Sequence, residues 1–196
     1  MAEPSHSRRI LLYSSVFEDG GVERIVVNLA RGLDTLGWRV FCALRVSPEN
    51  PYLPQIPETV GLHVLSSKRP RIARRELGAI LETLEPSHLL GFRSRDYALL
   101  VRAARESHGR PRVFLHAGVR IGQKLQGHRR GALRSRLYLR AARRSWTRAD
   151  GILSVGEGVT RDWQHHLGAP SLPIRTLPQP VVPEADADPH RLERRA

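Results

Sequence analysis

The sequence holds one cysteine, Cys42, and two lysines, Lys68 and Lys124. A single thiol excludes an intramolecular disulfide framework and a cysteine-built zinc cluster. No apolar run approaches the ~18 residues that a membrane-spanning helix needs. The run near the N-terminus, Ile10 to Val16, is short and leads into Glu18 and Asp19, unlike a secretory signal. The expectation is a cytoplasmic chain. With 16 glycines and 14 prolines in 196 residues, a low-complexity or collagen-like chain is excluded. Neither the P-loop pattern GxxxxGK[ST] nor the dinucleotide pattern GxGxxG is present, which leaves ATP or nicotinamide binding poorly supported. There is no internal repeat, and Trp38, Trp146 and Trp163 do not cluster as a base-stacking platform.

What is abundant is arginine. The 32 basic residues outnumber 19 acidic ones, for a net charge of +13, and all but two of them are arginines. Such a balance favours anionic partners such as phosphorylated ligands, nucleic acid or an anionic membrane face. A general compositional bias towards arginine on solvated faces explains it equally well. At 40% hydrophobic residues the chain has the makings of a globular domain.

Patterning predicts alternating strands and helices. Strands are expected at 9–15, 39–46, 60–66, 88–91, 112–116, 151–155 and 174–177. Helices are expected over 22–36, 72–84, 96–107, 127–148 and 158–167, with Gly37 stopping the first. Residues 47–57, with four prolines, read as a loop. This alternation implies an α/β fold, a Rossmann-like mostly parallel sheet with helices on both faces, in a single domain. From Pro178 the texture turns proline-rich and charged without apolar period, so the expected boundaries are a domain at 1–182 and a linker or tail at 183–196.

Several groups stand out against this frame. Asp19-Gly20-Gly21-Val22-Glu23 lies between the first strand and first helix. Two glycines let a ligand approach backbone, and the helix start offers free N–H groups to an anion. A plain tight turn with Glu23 set favourably against the helix dipole is the structural alternative. His116 ends the strand RVFLH, where it can orient a hydroxyl or phosphate, or simply satisfy a loop carbonyl. Residues 124–148 carry nine basic residues and no acid, among them Arg129, Arg130, Arg134, Arg136 and Arg140. This helix fits an anionic membrane surface, phosphate backbones or a solvated face over a sheet-packed side. His165 and His166 diverge by about 100° on a helix, poor geometry for one metal. Asp186-Ala187-Asp188 lies in the tail and is set aside as a metal motif.

Three blocks in order resemble family 4 glycosyltransferases of the GT-B fold. The first is ILLYSSVFEDGGVERIVVNLARGLDTLGWRVFCALRV, residues 10–46, with Gly20, Gly21, Glu23, Leu33, Gly37 and Val40 at the family's positions. The second is ADGILSVGEGV, residues 149–159, and the third is PIRTLPQPVV, residues 173–182. Gly156 departs from the usual serine and Gln179 from the usual asparagine. The resemblance implies the N-terminal, acceptor-side half of an enzyme that transfers a hexose from a nucleotide-sugar to an acceptor hydroxyl. It implies substrate contacts at Gly20, Gly21, Glu23 and Glu157, an acceptor contact and catalytic role at His116, and no metal or other cofactor. The implied partners are a donor-binding C-terminal domain, within the same polypeptide or on a separate chain, and a glycan or lipid-linked acceptor. The donor half is not in this sequence, so the chain is expected to be inactive alone, with peripheral contact to the inner membrane face. The alternatives are a non-enzymatic basic module on anionic membrane or nucleic acid, the latter lacking any recognisable signature, and a Rossmann domain for another nucleotide.

Overall fold

A computed structural model describes residues 8–47, 50–67, 69–127 and 132–177. Seven strands form one sheet: β1 (Arg9–Phe17), β2 (Arg39–Val46), β3 (Gly61–Val64), β4 (His88–Gly91), β5 (Arg112–Ala117), β6 (Gly151–Ser154) and β7 (Ile174–Thr176). Their order is β3-β2-β1-β4-β5-β6-β7, and every pairing is parallel. Such a sheet must be covered on its faces, and the central strands are accordingly apolar on both sides. In β1, Leu11 and Tyr13 face one core while Ile10 and Leu12 face the other.

Among the described residues six helices supply the cover: α1 (Gly21–Thr35), α2 (Pro70–Leu84), α3 (Tyr97–Glu106), α4 (Ile121–Gly127), α5 (Ala132–Trp146) and α6 (Glu157–Leu167). Helix α1 brings Ile25, Val26 and Ala30 against Leu12, Cys42 and Leu44. On the opposite face α2, α3, α5 and α6 bring Leu77, Leu100, Trp146 and Trp163 onto Leu11, Leu89, Leu115 and Ile152. Helix α1 stops as its sequence predicts: Gly37, at φ 77°, lets Trp38 N–H reach the Leu33 carbonyl at 3.0 Å.

The chain order reverses between β1 and β4. From β1 the chain runs outward to β2 and β3, then returns across the sheet to β4. In an open α/β sheet the crevice at the carboxyl ends of the strands flanking such a reversal is where ligands bind.

Three local expectations change. The loop at 47–57 contains a short 3-10 helix, Leu53–Gln55, pinned by Asn50. The long helix expected at 127–148 begins, among the described residues, at Ala132, and a separate α4 precedes it. The Asp162 carboxylate, on α6, caps α4 by accepting from the Ile121 and Gly122 N–H groups, a tertiary contact that local periodicity cannot announce. The first strand runs two residues beyond its expected end, to Phe17. The expected boundary at residue 182 and the tail at 183–196 lie outside the described residues.

Candidate functional site at the carboxyl edge of the sheet

The Gly20-Gly21 turn leaves the carboxyl end of β1 and opens α1. Both glycines sit at the edge where β4, β5 and β6 also end, and Gly20 is fully extended. The two differ in why they are glycine. A Cβ on Gly20 would stand 2.9 Å from the Glu23 Oε2, whereas one on Gly21 would meet open space. Gly20, the N-cap residue, has no side chain with which to cap α1, so among the described residues the helix starts at this edge without a side-chain cap.

Glu23 is buried in the first turn of α1, its side chain 2% exposed. Its Oε1 accepts from the Glu18 N–H at 3.3 Å and forms an ion pair with the Arg93 guanidinium. Arg93 follows β4, so this pair binds the turn after β1 to the loop after the neighbouring strand. Asn50 fixes the same turn from the other side, donating to the Phe17 carbonyl at 3.0 Å and the Glu18 carbonyl at 2.7 Å. Sequence patterning singles out neither Arg93 nor Asn50, because each lies in a loop and acts on residues distant in sequence.

His116 occupies β5 one residue before its end, and is 7% exposed. Its ring packs on Phe92 with centroids 5.4 Å apart, and its carbonyl accepts from the Tyr97 hydroxyl. Burial pushes its pKa down to about 4, so the imidazole is neutral at pH 7. A neutral imidazole orients a hydroxyl by hydrogen bonding and offers no full charge to a phosphate.

Glu157 opens α6 after Gly156, exposed at the same edge. No hydrogen bond or ion pair among the described residues joins it to Glu23 or His116. The structure therefore draws Gly20, Glu23, Arg93 and His116 around the β1–β4–β5 end, with Glu157 one strand further along. A Cβ on Gly156 would meet nothing within 4 Å, so the serine expected there would fit. Among the described residues no three histidine, cysteine, aspartate or glutamate side chains group as a metal site.

The basic segment also divides. Arg134, Arg136 and Arg140 are exposed on α5, while Arg129 and Arg130 lie outside the described residues. At 100° per residue Leu133, Arg136, Leu137 and Arg140 share one helix face, opposite Tyr138, Ala142 and Trp146. That outer face is not uniformly polar: Leu133 is 72% and Leu137 58% exposed. No helix among the described residues is long and apolar enough to cross a membrane.

Comparison with solved structures places this architecture among glycosyltransferases. A glycosyltransferase from Rickettsia africae superposes with a TM-score of 0.67 at 15% identity, covering 96% of this chain and 48% of its own. Sucrose-phosphate synthase from Thermosynechococcus elongatus gives 0.66 at 15% identity, covering 87% and 48%. Anabaena HepE, solved with UDP and glucose, gives 0.60 at 11% identity, covering 88% and 44%. At these identities the likeness is one of fold, and the chain spans less than half the length of each. No curated protein matches the sequence significantly. The model of Glycosyltransferase Family 4, however, matches residues 19–185, most of the chain, and the chain belongs to that family.

Proposed function

We propose that this chain is the acceptor-side half of a glycosyltransferase that moves a sugar from a nucleotide-sugar to an acceptor hydroxyl. The observation that carries the reading is the gathering of the Gly20-Gly21 turn, the Glu23–Arg93 pair and His116 at the carboxyl edge beside the chain reversal. In the transfer the acceptor oxygen bonds to the anomeric carbon, the bond to the nucleoside diphosphate breaks, and the acceptor proton leaves. The residues here would perform the acceptor's share. His116, neutral at pH 7, would hold the hydroxyl, and the glycine turn with the uncapped α1 N-terminus would receive donor phosphate or acceptor close to backbone. The reading requires no resident metal. Donor recognition would come from a second Rossmann-like half, in the same polypeptide or on another chain.

The acceptor is proposed to be a glycan or a lipid-linked sugar met at an anionic membrane, on the cytoplasmic side. Leu133 and Leu137, exposed among Arg134, Arg136 and Arg140, support this: apolar side chains enter the interface while guanidinium groups meet acidic head groups. A nucleic-acid module is less well supported. Trp146 and Trp163 are buried and stacked on each other at 5.3 Å, which removes them from base stacking. The test is to assay nucleotide-sugar turnover with a panel of donors and membrane-extract acceptors, using this chain alone and joined to a donor-binding half. Turnover only with both halves supports the proposal; none with any donor, although both halves are folded, rejects it.

A further inference from the structure

A cavity of about 560 Å³ opens at the carboxyl edge on the sheet face opposite α1. Its walls come from three segments far apart in sequence: the end of β1, the first turn of α2 and the start of α3. Val16, Ala73, Ala98 and Leu99 give it an apolar lining. Four arginines stand round it: Arg71 and Arg74 from α2, Arg95 before α3 and Arg102 within it. Arg74 and Arg102 share Glu106, at 3.4 and 2.8 Å. Arg71 and Arg95 are exposed and have no ion pair among the described residues.

The floor is polar and incompletely bonded. Tyr13 is fully buried, lines the cavity, and its hydroxyl has no hydrogen-bond partner among the described residues. The Ser15 hydroxyl beside it is also without one. The Asp96 carboxylate, held by the Ser15 N–H at 3.0 Å, completes the floor, and Glu76 lies near Tyr13. Acidic groups at the floor repel a phosphate there and accept a hydroxyl instead, while the guanidinium rim is suited to the phosphate. A buried hydroxyl left unbonded carries a cost that a ligand hydroxyl entering the cavity would remove.

We infer that this cavity binds a hydroxylated organic phosphate with an apolar body, its hydroxyl at Tyr13, Ser15 and Asp96 and its phosphate at Arg71 and Arg95. The inference goes beyond the acceptor-side reading: it gives this half a second ligand besides the acceptor whose hydroxyl His116 would hold. It places a second recognition surface across the sheet from the Gly20-Gly21 turn.

The experiment titrates the full chain with 6-hydroxyhexyl phosphate, following backbone amide shifts by NMR. Saturable binding is expected, with the shifts centred on Ser15, Arg71 and Arg95. Hexyl phosphate tests the hydroxyl, glycerol 3-phosphate the apolar body, and inorganic phosphate the charge alone; each is expected to bind more weakly. R71Q/R95Q is expected to weaken binding about tenfold or more, the scale of lost charge-assisted hydrogen bonds, whereas R112Q/R175Q, distant from the cavity, changes it less than about twofold. Tyr13→Phe is expected to remove the preference for the hydroxylated probe while the protein stays folded. Equal losses in the two arginine pairs, shifts centred elsewhere, or no saturation by about 10 mM overturns the inference. Inorganic phosphate binding as well as the full probe overturns it too. Because binding is read without sugar transfer, it can hold where the transferase reading fails, and the reverse.

Discussion

The buried Glu23 carboxylate receives the Arg93 guanidinium across the crevice, joining the turn that leaves β1 to the loop that leaves β4. These two strands flank the chain reversal, so the pair fixes the relative position of the two loops that a ligand there would touch first. Glu23 also holds the Glu18 N–H, which shapes the turn from within. One carboxylate thus serves both loop geometry and the closure between loops.

Breaking this pair should be costly. Arg93 is 28% exposed, which tempers the penalty usual for a buried partner left alone. Glu23→Ala is expected to lower unfolding stability by about 2 kcal/mol, and Glu23 and Arg93 should show a coupling of about 1–2 kcal/mol in a double-mutant cycle. Urea titration of the four proteins measures both. Additive effects of the two substitutions would show that the contact carries no energy.

The two glycines of the turn should respond differently. Gly20→Ala forces a Cβ to 2.9 Å from the Glu23 Oε2 and is expected to cost about 1–2 kcal/mol. Gly21→Ala meets open space and should fall within about 0.5 kcal/mol of the native chain. Thermal unfolding of both variants decides it, and a larger loss at Gly21 would contradict the described geometry.

His116 should make the fold sensitive to mild acid. Its folded pKa of about 4 lies below the unfolded value near 6.5. Between these values the unfolded chain binds the extra proton, so stability is full above pH 6.5 and falls as pH drops towards 4. From pH 7.5 to 5 the loss attributable to His116 is about 2 kcal/mol. His116→Phe, which keeps an aromatic against Phe92, should lose less over that range in urea titrations. Parallel pH profiles for the two proteins would show that the imidazole is not buried uncharged.

Much of the architecture was legible because it depends on local pattern. The alternation of apolar runs and helical periods announces the sheet and five of the six helices among the described residues, and Gly37 marks the end of α1 by the positive φ it adopts. The Gly20-Gly21 turn is readable for the same reason: its chemistry is contained in five consecutive residues. What the sequence hides is whatever two distant segments make together. Helix α4 depends on Asp162 as its cap, 41 residues away from Ile121. The Glu23–Arg93 pair spans 70 residues. The arginine-rimmed cavity draws on β1, α2 and α3, and the same arginines, read in order, look only like solvated charge. Leu133 and Leu137 read as part of the apolar side of α5 together with Trp146, yet they are exposed, because periodicity assigns leucines to a core before packing shows which ones reach it.

The outer face of α5 offers a separable test of membrane contact. R134Q/R136Q/R140Q removes exposed charge without touching Tyr138, Ala142 or Trp146, so stability should change by less than about 0.5 kcal/mol per site. Affinity for vesicles containing acidic phospholipid should fall, each lost charge weakening it by about 1 kcal/mol. Sedimentation with acidic and with neutral vesicles measures the difference. Unchanged binding to acidic vesicles would remove α5 from the contact.

The central claim is that the carboxyl edge of the sheet takes part in sugar transfer, and two histidines on adjacent strands test it most directly. His116 lies one residue from the end of β5 at that edge, whereas His88 begins β4 at the opposite edge, stacked on Phe114 at 6.0 Å. The measurement is the rate of sugar transfer to acceptor by this chain joined to a donor-binding half, for His116→Gln and His88→Gln, with both proteins shown to be folded. The account predicts a loss of about a hundredfold or more for His116→Gln, in the range of a general acid–base or positioning contribution, and less than about threefold for His88→Gln. Equal rates for the two variants, or the larger loss at His88, would contradict it.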